Sequence, residues 1–335
     1  MNRDKLIEAG LEAVRAACKV CVRVQADLVN AGTLEKGDKS PVTVADFAAQ
    51  AVVCGVLAER CPEIPVVGEE GSAELREGKH RDLLDHVAAH AGMEPREALE
   101  AIDRGGFDPA TASDDDPRKD LYWTLDPIDG TKGFLRGEQY AVALGLIEGG
   151  VVVGGILGCP NLSVDDQEEV GVVLVAVKDA GAYRHPVEGT DHDPHHGRPI
   201  RVSKRSEPSA LRVCESVESG HTKQDAAAEV VARLGVTADP VRMDSQCKYA
   251  AVALGMAEAY LRLPTRPGYV ERIWDHAAGV AVLEEAGGAV TDAGGKPLDF
   301  SMGRGLDDNR GVIATNGPCH EDVVAAVVGV LAGGE

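Results

Sequence analysis

Residues 125–137 read L-D-P-I-D-G-T-K-G-F-L-R-G and place two acids, Asp126 and Asp129, three positions apart. The apolar run 121–125 that precedes them is typical of a buried strand. A proline and an isoleucine separate the two acids, and a Gly-Thr pair follows them. This order predicts two carboxylates at the point where a strand ends, on a turn stiffened by proline.

Three further acids have the same local setting, at a strand end or a helix start. Asp46 begins a helix after P-V-T-V-A, Glu69 follows the strand I-P-V-V-G, and Asp275 follows E-R-I-W and opens an alanine-rich helix. Carboxylates brought into one crevice repel one another and take up protons, a penalty that divalent cations remove. Hard oxygen ligands suit Mg²⁺, which often completes its coordination with substrate phosphate. The carbonyl of Ile128 is a further candidate ligand.

The pair Gly130-Thr131 has two interpretations. If a helix begins here, its free amides form an anion site, and the glycine lets a phosphate approach the backbone. A capped turn, in which Asp129 and Thr131 satisfy backbone amides, explains the pair equally well. The spacing alone does not decide between these interpretations.

Composition limits the class of protein. The chain has 335 residues, of which 44% are hydrophobic, so a sizeable core in two domains or one composite domain is expected. A net charge of −21 without a basic stripe argues against a nucleic-acid polymer as partner. No long apolar run or signal peptide is present, and the eight cysteines lie mostly in apolar runs. These features predict a cytoplasmic protein without membrane contact.

Hydrophobic periodicity predicts an α+β portion over residues 1–205 and an α/β portion over residues 206–335. Helices are expected at 6–29, from Val44 to Pro62, and at 83–91, 223–234, 246–256, 275–286 and 323–331. Strands are expected at 64–68, 121–125, 140–148, 151–157, 170–177, 211–215 and 259–263. Glu148-Gly149-Gly150 is typical of a hairpin turn.

Three acidic motifs resemble those of the inositol monophosphatase superfamily, which comprises magnesium-dependent, lithium-sensitive phosphomonoesterases. The motifs are G-E-E at 68–70, D-P-I-D-G-T at 126–131 and W-D-H-A-A-G at 274–279. The longer matches D-S-Q-C-K-Y and Y-L-R-L-P resemble the 3′(2′),5′-bisphosphate nucleotidase branch. That branch removes the 3′-phosphate of adenosine 3′,5′-bisphosphate and leaves AMP. The resemblance implies a layered α-β-α-β-α sandwich of the sugar phosphatase type, with α+β and α/β portions.

The resemblance also implies roles for individual residues. The ligands of two or three Mg²⁺ ions would be Glu69, Asp126, the Ile128 carbonyl, Asp129, Asp275 and, more weakly, Asp46. Thr131 and Asp46 would orient and deprotonate the attacking water. The amides of Gly130 and Thr131 would receive the phosphate.

Substrate discrimination is implied to come from the second half of the chain. The positions that match nucleotide-binding residues of the branch are His221, Ser245, Lys248 and Arg262. Their cations would hold a 5′-phosphate, which inositol lacks, and the sulfated nucleotide is a second possible substrate. The alternative is an inositol (poly)phosphate 1-phosphatase with the same metal chemistry. A catalytically silent nucleotide- or cation-binding regulator is a third hypothesis, against which the intact Asp46 and Thr131 argue. The oligomeric state stays open.

Overall fold

The structure is a computed structural model that describes residues 2–30, 41–113, 115–164, 170–217, 224–264 and 268–333. Its helices are α1 (Arg3–Asn30), α2 (Pro41–Arg60), α3 (Arg81–Ala91), α4 (Pro95–Asp103), α5 (Thr131–Arg136), α6 (Gln224–Arg233), α7 (Cys247–Ala253), α8 (Ala277–Glu285) and α9 (His320–Gly333). Among the helices of these residues, none combines the length and hydrophobicity of a membrane span.

A seven-stranded sheet occupies the first part of the chain. Its strands are β1 (Val66–Gly68), β2 (Leu121–Asp129), β3 (Ala141–Glu148), β4 (Val151–Ser163), β5 (Val170–Val177), β6 (Gly181–Pro186) and β7 (Arg198–Pro199). They lie side by side in sequence order. β1 pairs with β2 in parallel, and every later neighbour in this sheet is antiparallel.

A second sheet of five strands follows. Its strands are β8 (Val213–Glu215), β9 (Val241–Arg242), β10 (Ala259–Arg262), β11 (Ala289–Thr291) and β12 (Val312–Thr315). Their order is β11-β12-β10-β8-β9, with antiparallel pairs around β12 and parallel pairs around β8.

Apolar contacts stack these elements in five layers. Helices α1 and α2 share a core with one face of the first sheet, which contributes Trp123 and Leu144. The other face of that sheet packs with α7 and α8 and reaches the second sheet, as the cluster of Leu157, Tyr249 and Ala314 shows. Helices α6 and α9 cover the far side of the second sheet. The α-β-α-β-α sandwich expected from the resemblance is therefore confirmed.

Two glycines of β4 allow helices to approach the sheet closely from both sides. A Cβ at Gly158 would clash with the Cys18 sulfur of α1, and one at Gly155 would lie 2.6 Å from the Ala278 carbonyl of α8. Small residues at these positions let both helices pack directly on the strand. All eight cysteines are buried and free, as expected for core residues.

The hairpin predicted at Glu148 is confirmed, since Glu148 pairs with Val151 across a two-residue loop. Gly149 and Gly150 have φ values of 58° and 76°, which such a tight hairpin turn requires. The chain then passes from the first sheet to the second between Pro199 and Val213. The division at residue 205 stays a prediction, because one apolar cluster includes residues from both of its sides.

Three local predictions were wrong. β2 does not end at Leu125 but continues through both acids to Asp129. Asp46 does not begin a helix but lies inside α2, which starts at Pro41. Asp275 belongs to a short 3₁₀ turn, Ile273–Asp275, that precedes α8 rather than opening it.

The charged segment 74–120 is more ordered than its composition indicated. It contains α3, which Gly92 caps with a φ of 69°, and α4, which the sequence analysis did not predict. Glu94 and Glu97 form a reciprocal capping box at the start of α4, and Pro95 occupies its first turn. Part of this segment pairs with β1, because Val67 forms a bridge with Gly106.

Candidate active site

Parallel pairing of β1 and β2 places the first two carboxylates side by side. Gly68 is in register with Leu125, so Glu69 and Asp126 follow at matching positions. The backbone N–H of Glu69 donates to the Leu125 carbonyl at 3.1 Å. Both acids line one cavity of about 300 Å³.

A β-bulge explains the three-residue spacing of the aspartates. Asp126 pairs with Ala143, whereas Asp129 pairs with Ala141, so three steps on β2 face two on β3. The extra residue changes the direction of the strand locally. As a result Asp126, Ile128 and Asp129 all line the cavity, although strict alternation would place Asp129 on the face opposite Asp126 and Ile128.

Glycine is required directly after the bulge. Gly130 has a φ of 92°, and a Cβ there would lie 2.8 Å from the Ser245 side chain. The short helix α5 begins at the next residue, Thr131. Gly130 and Thr131 both line the cavity next to Asp129, as the phosphate-binding interpretation requires.

Asp275 reaches the same cavity from the second half of the chain. Its Oδ2 accepts a hydrogen bond from Arg262 Nη2 at 3.2 Å, and the same nitrogen lies 2.7 Å from Glu271 Oε2. Glu271 also contacts His276 Nε2 at 3.3 Å, and His276 Nδ1 lies 2.8 Å from the Tyr249 hydroxyl.

Among the described residues, Glu271, Asp275 and His276 form the one group of three or more His, Cys, Asp or Glu residues whose ligand atoms all lie within 4.8 Å of one another. Both nitrogens of His276 already have partners, and Glu271 is paired with Arg262. We therefore consider the cavity carboxylates, Asp275 among them, better candidates for binding a cation than Glu271 and His276.

Burial and mutual repulsion disfavour the charged forms of the cavity carboxylates. Burial raises the pKa of Asp126 well above its usual value, and Glu69, Asp129 and Asp275 raise it further. Burial and the charge of Asp275 raise the pKa of Asp129 to about 6. Burial, followed by Asp275 and Glu70, raises the pKa of Glu69 to about 7.

A divalent cation fits this arrangement. Asp126 is only 3% exposed, and its Oδ1 has no hydrogen-bond partner among the described residues. A buried oxygen without a partner is costly, and a cation would satisfy it and neutralise the neighbouring acids. The donors are all hard oxygens, the type that Mg²⁺ prefers.

Asp46, which the sequence predicted at the site, is not among the residues that line the cavity. It is 9% exposed, and its pKa is raised well above the usual value by burial and by the charges of Glu70 and Glu69. Its charge also raises the pKa of Asp126, so Asp46 acts electrostatically on the cavity acids.

Cationic and polar side chains line the same cavity as the acids. Lys248 is 5% exposed, and its Nζ lies 3.5 Å from the Met243 carbonyl and 5.1 Å from the centre of the Tyr260 ring. Burial lowers the pKa of Lys248, while the charge of Asp129 opposes that shift. Ser245 and Arg262 also line this cavity, and His221 lies outside the described residues.

Two glutamines that the sequence analysis did not single out hold the acidic motifs in place. Gln50 is fully buried, and its side-chain amide bonds both the N–H and the carbonyl of Glu70. Its position four residues after Asp46 on α2 was the available signal, since such residues share a helix face.

Gln246 connects the two halves of the site. Its backbone N–H donates to Asp129 Oδ2 at 2.6 Å, and its side chain donates to the Trp274 carbonyl at 2.9 Å. The same side chain accepts from the N–H of Gly279 at 3.0 Å. Tyr269, also not predicted, lines the cavity, with its hydroxyl 3.3 Å from Arg262.

This fold, with acids from distant segments around one cavity, defines a class of cation-binding hydrolases. Comparison with known proteins specifies the family: the inositol monophosphatase family profile matches residues 2–331. The chain belongs to the inositol monophosphatase family, whose members depend on metal ions.

Individual relatives agree with this assignment. The chain is 40% identical to the 3′(2′),5′-bisphosphate nucleotidase of Schizosaccharomyces pombe, over 98% of this chain and 97% of the relative. It is 39% identical to the enzyme of the same name from Oryza sativa, over 96% and 93% of the two chains. The solved inositol monophosphatase from Anabaena superposes with a TM-score of 0.64 at 23% identity, covering 98% and 97%, and so supports the fold.

Proposed function

We propose that this protein is a magnesium-dependent 3′(2′),5′-bisphosphate nucleotidase. It hydrolyses the 3′-phosphate of adenosine 3′,5′-bisphosphate to give AMP and phosphate, and it accepts the sulfated nucleotide as a second substrate. One observation carries this proposal: a single cavity brings the carboxylates together with the cations Lys248 and Arg262. The names of relatives at about 40% identity over nearly the full chain support the same substrate.

Two or three Mg²⁺ ions would be held by the acidic part of the cavity. One would be bound by Glu69, Asp126 and the Ile128 carbonyl, and a second by Asp126, Asp129 and Asp275. Asp46 and Glu69 would contribute to a third. Bound Mg²⁺ supplies an activated water and stabilises the charge on the transferring phosphoryl group.

Thr131 and Asp46 would act on the attacking water. The Thr131 hydroxyl orients the water, and the Asp46 carboxylate takes its proton. A carboxylate can accept a proton from a water molecule that lies within hydrogen-bond reach. The amides of Gly130 and Thr131 would receive the phosphate that is being cleaved.

Lys248, Arg262 and Ser245 would bind the second phosphate of the substrate. Lys248 is buried against the cavity, where a charged contact is stronger than in water. The guanidinium of Arg262 has five N–H donors, so it can contact a phosphate while it remains paired with Glu271. His221 is proposed for the same site from sequence alone.

The eight buried, free cysteines are consistent with a cytoplasmic location, which we also propose. No nucleic-acid polymer or membrane is part of the proposed activity.

Phosphate release from a substrate panel tests the proposal. The panel contains adenosine 3′,5′-bisphosphate, the sulfated nucleotide, and inositol mono- and bisphosphates, each with Mg²⁺. We expect the highest kcat/KM for the adenosine substrate. A strong preference for inositol phosphates would contradict the nucleotidase assignment, and no release from any substrate would favour a silent regulator.

A further inference from the structure

One arginine from the C-terminal part of the chain, Arg304, joins three separate segments beside the cavity. Its Nη2 donates to the Gly68 carbonyl at 2.5 Å, and its Nη1 donates to the Phe107 carbonyl at 3.2 Å. Its Cζ lies 4.7 Å from the centre of the Trp274 ring. The side chain is half-buried, so these contacts replace much of its hydration.

Two of these contacts lie directly next to proposed cation ligands. Gly68 precedes Glu69 at the end of β1, and Trp274 precedes Asp275 in the 3₁₀ turn. Glu69 and Asp275 belong to opposite halves of the chain but line the same cavity. Arg304 is therefore placed to fix the relative position of these two carboxylates.

Other hydrogen bonds already hold the backbone next to these two carboxylates. The N–H of Glu69 bonds the Leu125 carbonyl, and the Trp274 carbonyl accepts from Gln246. Arg304 contributes a further hydrogen bond at Gly68 and covers the face of the Trp274 ring. Groups that orient metal ligands in this way commonly change metal affinity about 10- to 100-fold when they are removed.

Phe107 brings the segment 74–120 into the same contact. The N–H of Phe107 bonds the Val66 carbonyl, and Gly105 accepts from the N–H of Gly68. Arg304 adds its hydrogen bonds to the carbonyls of Phe107 and Gly68. The segment for which the sequence offered no role thus supports the strand that carries Glu69.

Arg272 provides an internal comparison. Its Cζ lies 5.9 Å from the centre of the same Trp274 ring, but its side chain is exposed. Within the described residues its guanidinium makes no hydrogen bond to the segments that Arg304 joins. If stacking on Trp274 were the whole contribution of Arg304, replacement of either arginine would weaken Mg²⁺ binding, and only the size of the effect would differ.

We propose that Arg304 is a positioning residue that sets the separation of Glu69 and Asp275 for cation binding. The inference rests on the proposed function for the identity of the ligands. The planar fork of arginine is essential to it, because a lysine ammonium cannot bond two carbonyls in the same geometry while stacking on an indole.

Arg304→Lys tests this role, with Arg272→Lys as the matched control. Isothermal titration with MgCl₂ alone measures cation affinity, and thermal unfolding without Mg²⁺ measures the stability of the fold. We expect the Mg²⁺ dissociation constant to rise about tenfold or more in Arg304→Lys and to stay unchanged in Arg272→Lys. Arg304→Met, which keeps the length but not the charge, is measured in the same titration in case the lysine variant unfolds.

An unchanged dissociation constant in both Arg304 variants would overturn the proposal, as would an equal rise in Arg272→Lys. A lower unfolding temperature with normal Mg²⁺ affinity would show a merely structural role and would also overturn it. The titration needs no substrate. Failure of the wild-type protein to hydrolyse the nucleotide would therefore contradict the proposed function and leave this test intact.

Discussion

Asp126 shows how a single residue can be costly for the fold and necessary for the activity. Its carboxylate is buried among four other acids, and Oδ1 lacks a partner within the described chain. Such a group destabilises the cation-free protein, because a buried charge without compensation is expensive. Stability and function therefore oppose each other at this position.

We predict that Asp126→Asn raises the cation-free unfolding temperature and lowers kcat by on the order of 10³-fold. The amide keeps the shape but removes both the repulsion and a cation ligand. Thermal unfolding without Mg²⁺ and phosphate release with Mg²⁺ measure the two effects. The control is Asp85→Asn, which changes an exposed acid of α3 and should alter neither quantity. Normal phosphate release by Asp126→Asn would contradict the site assignment.

Lys248→Met should weaken recognition of the second phosphate. A hydrogen bond to a charged group contributes about 1.5–3 kcal/mol, so kcat/KM for adenosine 3′,5′-bisphosphate should fall roughly 10- to 100-fold. Adenosine 3′-monophosphate lacks the 5′-phosphate and should be affected much less. Lys132→Met, which alters an exposed lysine of the same cavity, is the control. Equal losses on both nucleotides would rule out a role in binding the 5′-phosphate.

At this scale, four acids that the sequence predicted to share a crevice line one cavity: Glu69, Asp126, Asp129 and Asp275. Asp46, predicted with them, is not among the residues that line it. The sequence did not predict that Arg262 pairs with Glu271 and Asp275. It also did not predict the contacts of Gln50 or Arg304. Such pairs join residues far apart in the chain, and no local pattern encodes the distance between them.

At the scale of elements, the sequence located strands and helices well where periodicity was strong. The first helix and β5 lie where hydrophobic spacing predicted them. The predicted end of β2 was wrong because a proline and two acids are typical of the end of a strand. The bulge lets the strand continue through them. Helix α4 was not predicted because the acidic capping box that starts it lies in a charged segment.

Helix α5 provides a test of how tightly one element is held beside the cavity. A Cβ at Gly133 would clash with the Gln139 carbonyl oxygen, which belongs to the backbone and cannot easily move. We predict that Gly133→Ala lowers the free energy of unfolding by about 1–3 kcal/mol. It should also lower kcat/KM, because α5 begins at Thr131.

Urea unfolding and phosphate release measure both effects of Gly133→Ala. Gly78→Ala is the matched control, because nothing lies within 4 Å of a Cβ built at Gly78. If Gly133→Ala behaves like Gly78→Ala in both measurements, the close packing of α5 is not what holds Thr131 in place.

At the scale of the whole molecule, Glu258 joins the second sheet to the segment that enters it. Its side chain is fully buried and accepts hydrogen bonds from the Ser203 hydroxyl at 2.9 Å and from Arg212 Nη2 at 2.7 Å. Burial alone would raise the pKa of Glu258, but the hydrogen bonds from Arg212 and Ser203 outweigh burial and lower it. This carboxylate is therefore charged in the folded protein.

We predict that Glu258→Gln lowers the free energy of unfolding at pH 7 by less than the about 3–5 kcal/mol of a fully buried pair. The loss of unfolding free energy should be smaller than for a fully buried pair, because the Arg212 side chain is 33% exposed to water. The folded pKa lies below the unfolded value of about 4.3, so the contribution of Glu258 is present above that pH. It is lost as the pH falls through the folded pKa.

Urea unfolding of both proteins between pH 7 and pH 3 checks this behaviour of Glu258. The difference in unfolding free energy between wild type and Glu258→Gln should shrink as the pH falls. A difference that stays constant over this range would show that the charge of Glu258 does not contribute.

Removal or replacement of Mg²⁺ should act on the activity of the whole protein. We expect chelation with EDTA to abolish phosphate release and added Mg²⁺ to restore it. Lithium should inhibit, because a small monovalent ion can occupy a Mg²⁺ position without supplying the same charge. Phosphate release at fixed Mg²⁺ and rising LiCl measures this, with KCl as the control for ionic strength. Full activity in excess lithium would contradict the expected ion sites.

Both sheets terminate in very short strands. Within the described residues, the outer strands of the first sheet are β1, with three residues, and β7, with two residues that include Pro199. The outer strands of the second sheet, β11 and β9, have three and two residues. A long unpaired border would serve as a template for intermolecular strand addition, and these brief borders, one of which contains a proline, do not. The valine-rich central strands are thereby shielded from fibril growth, even when the protein is concentrated.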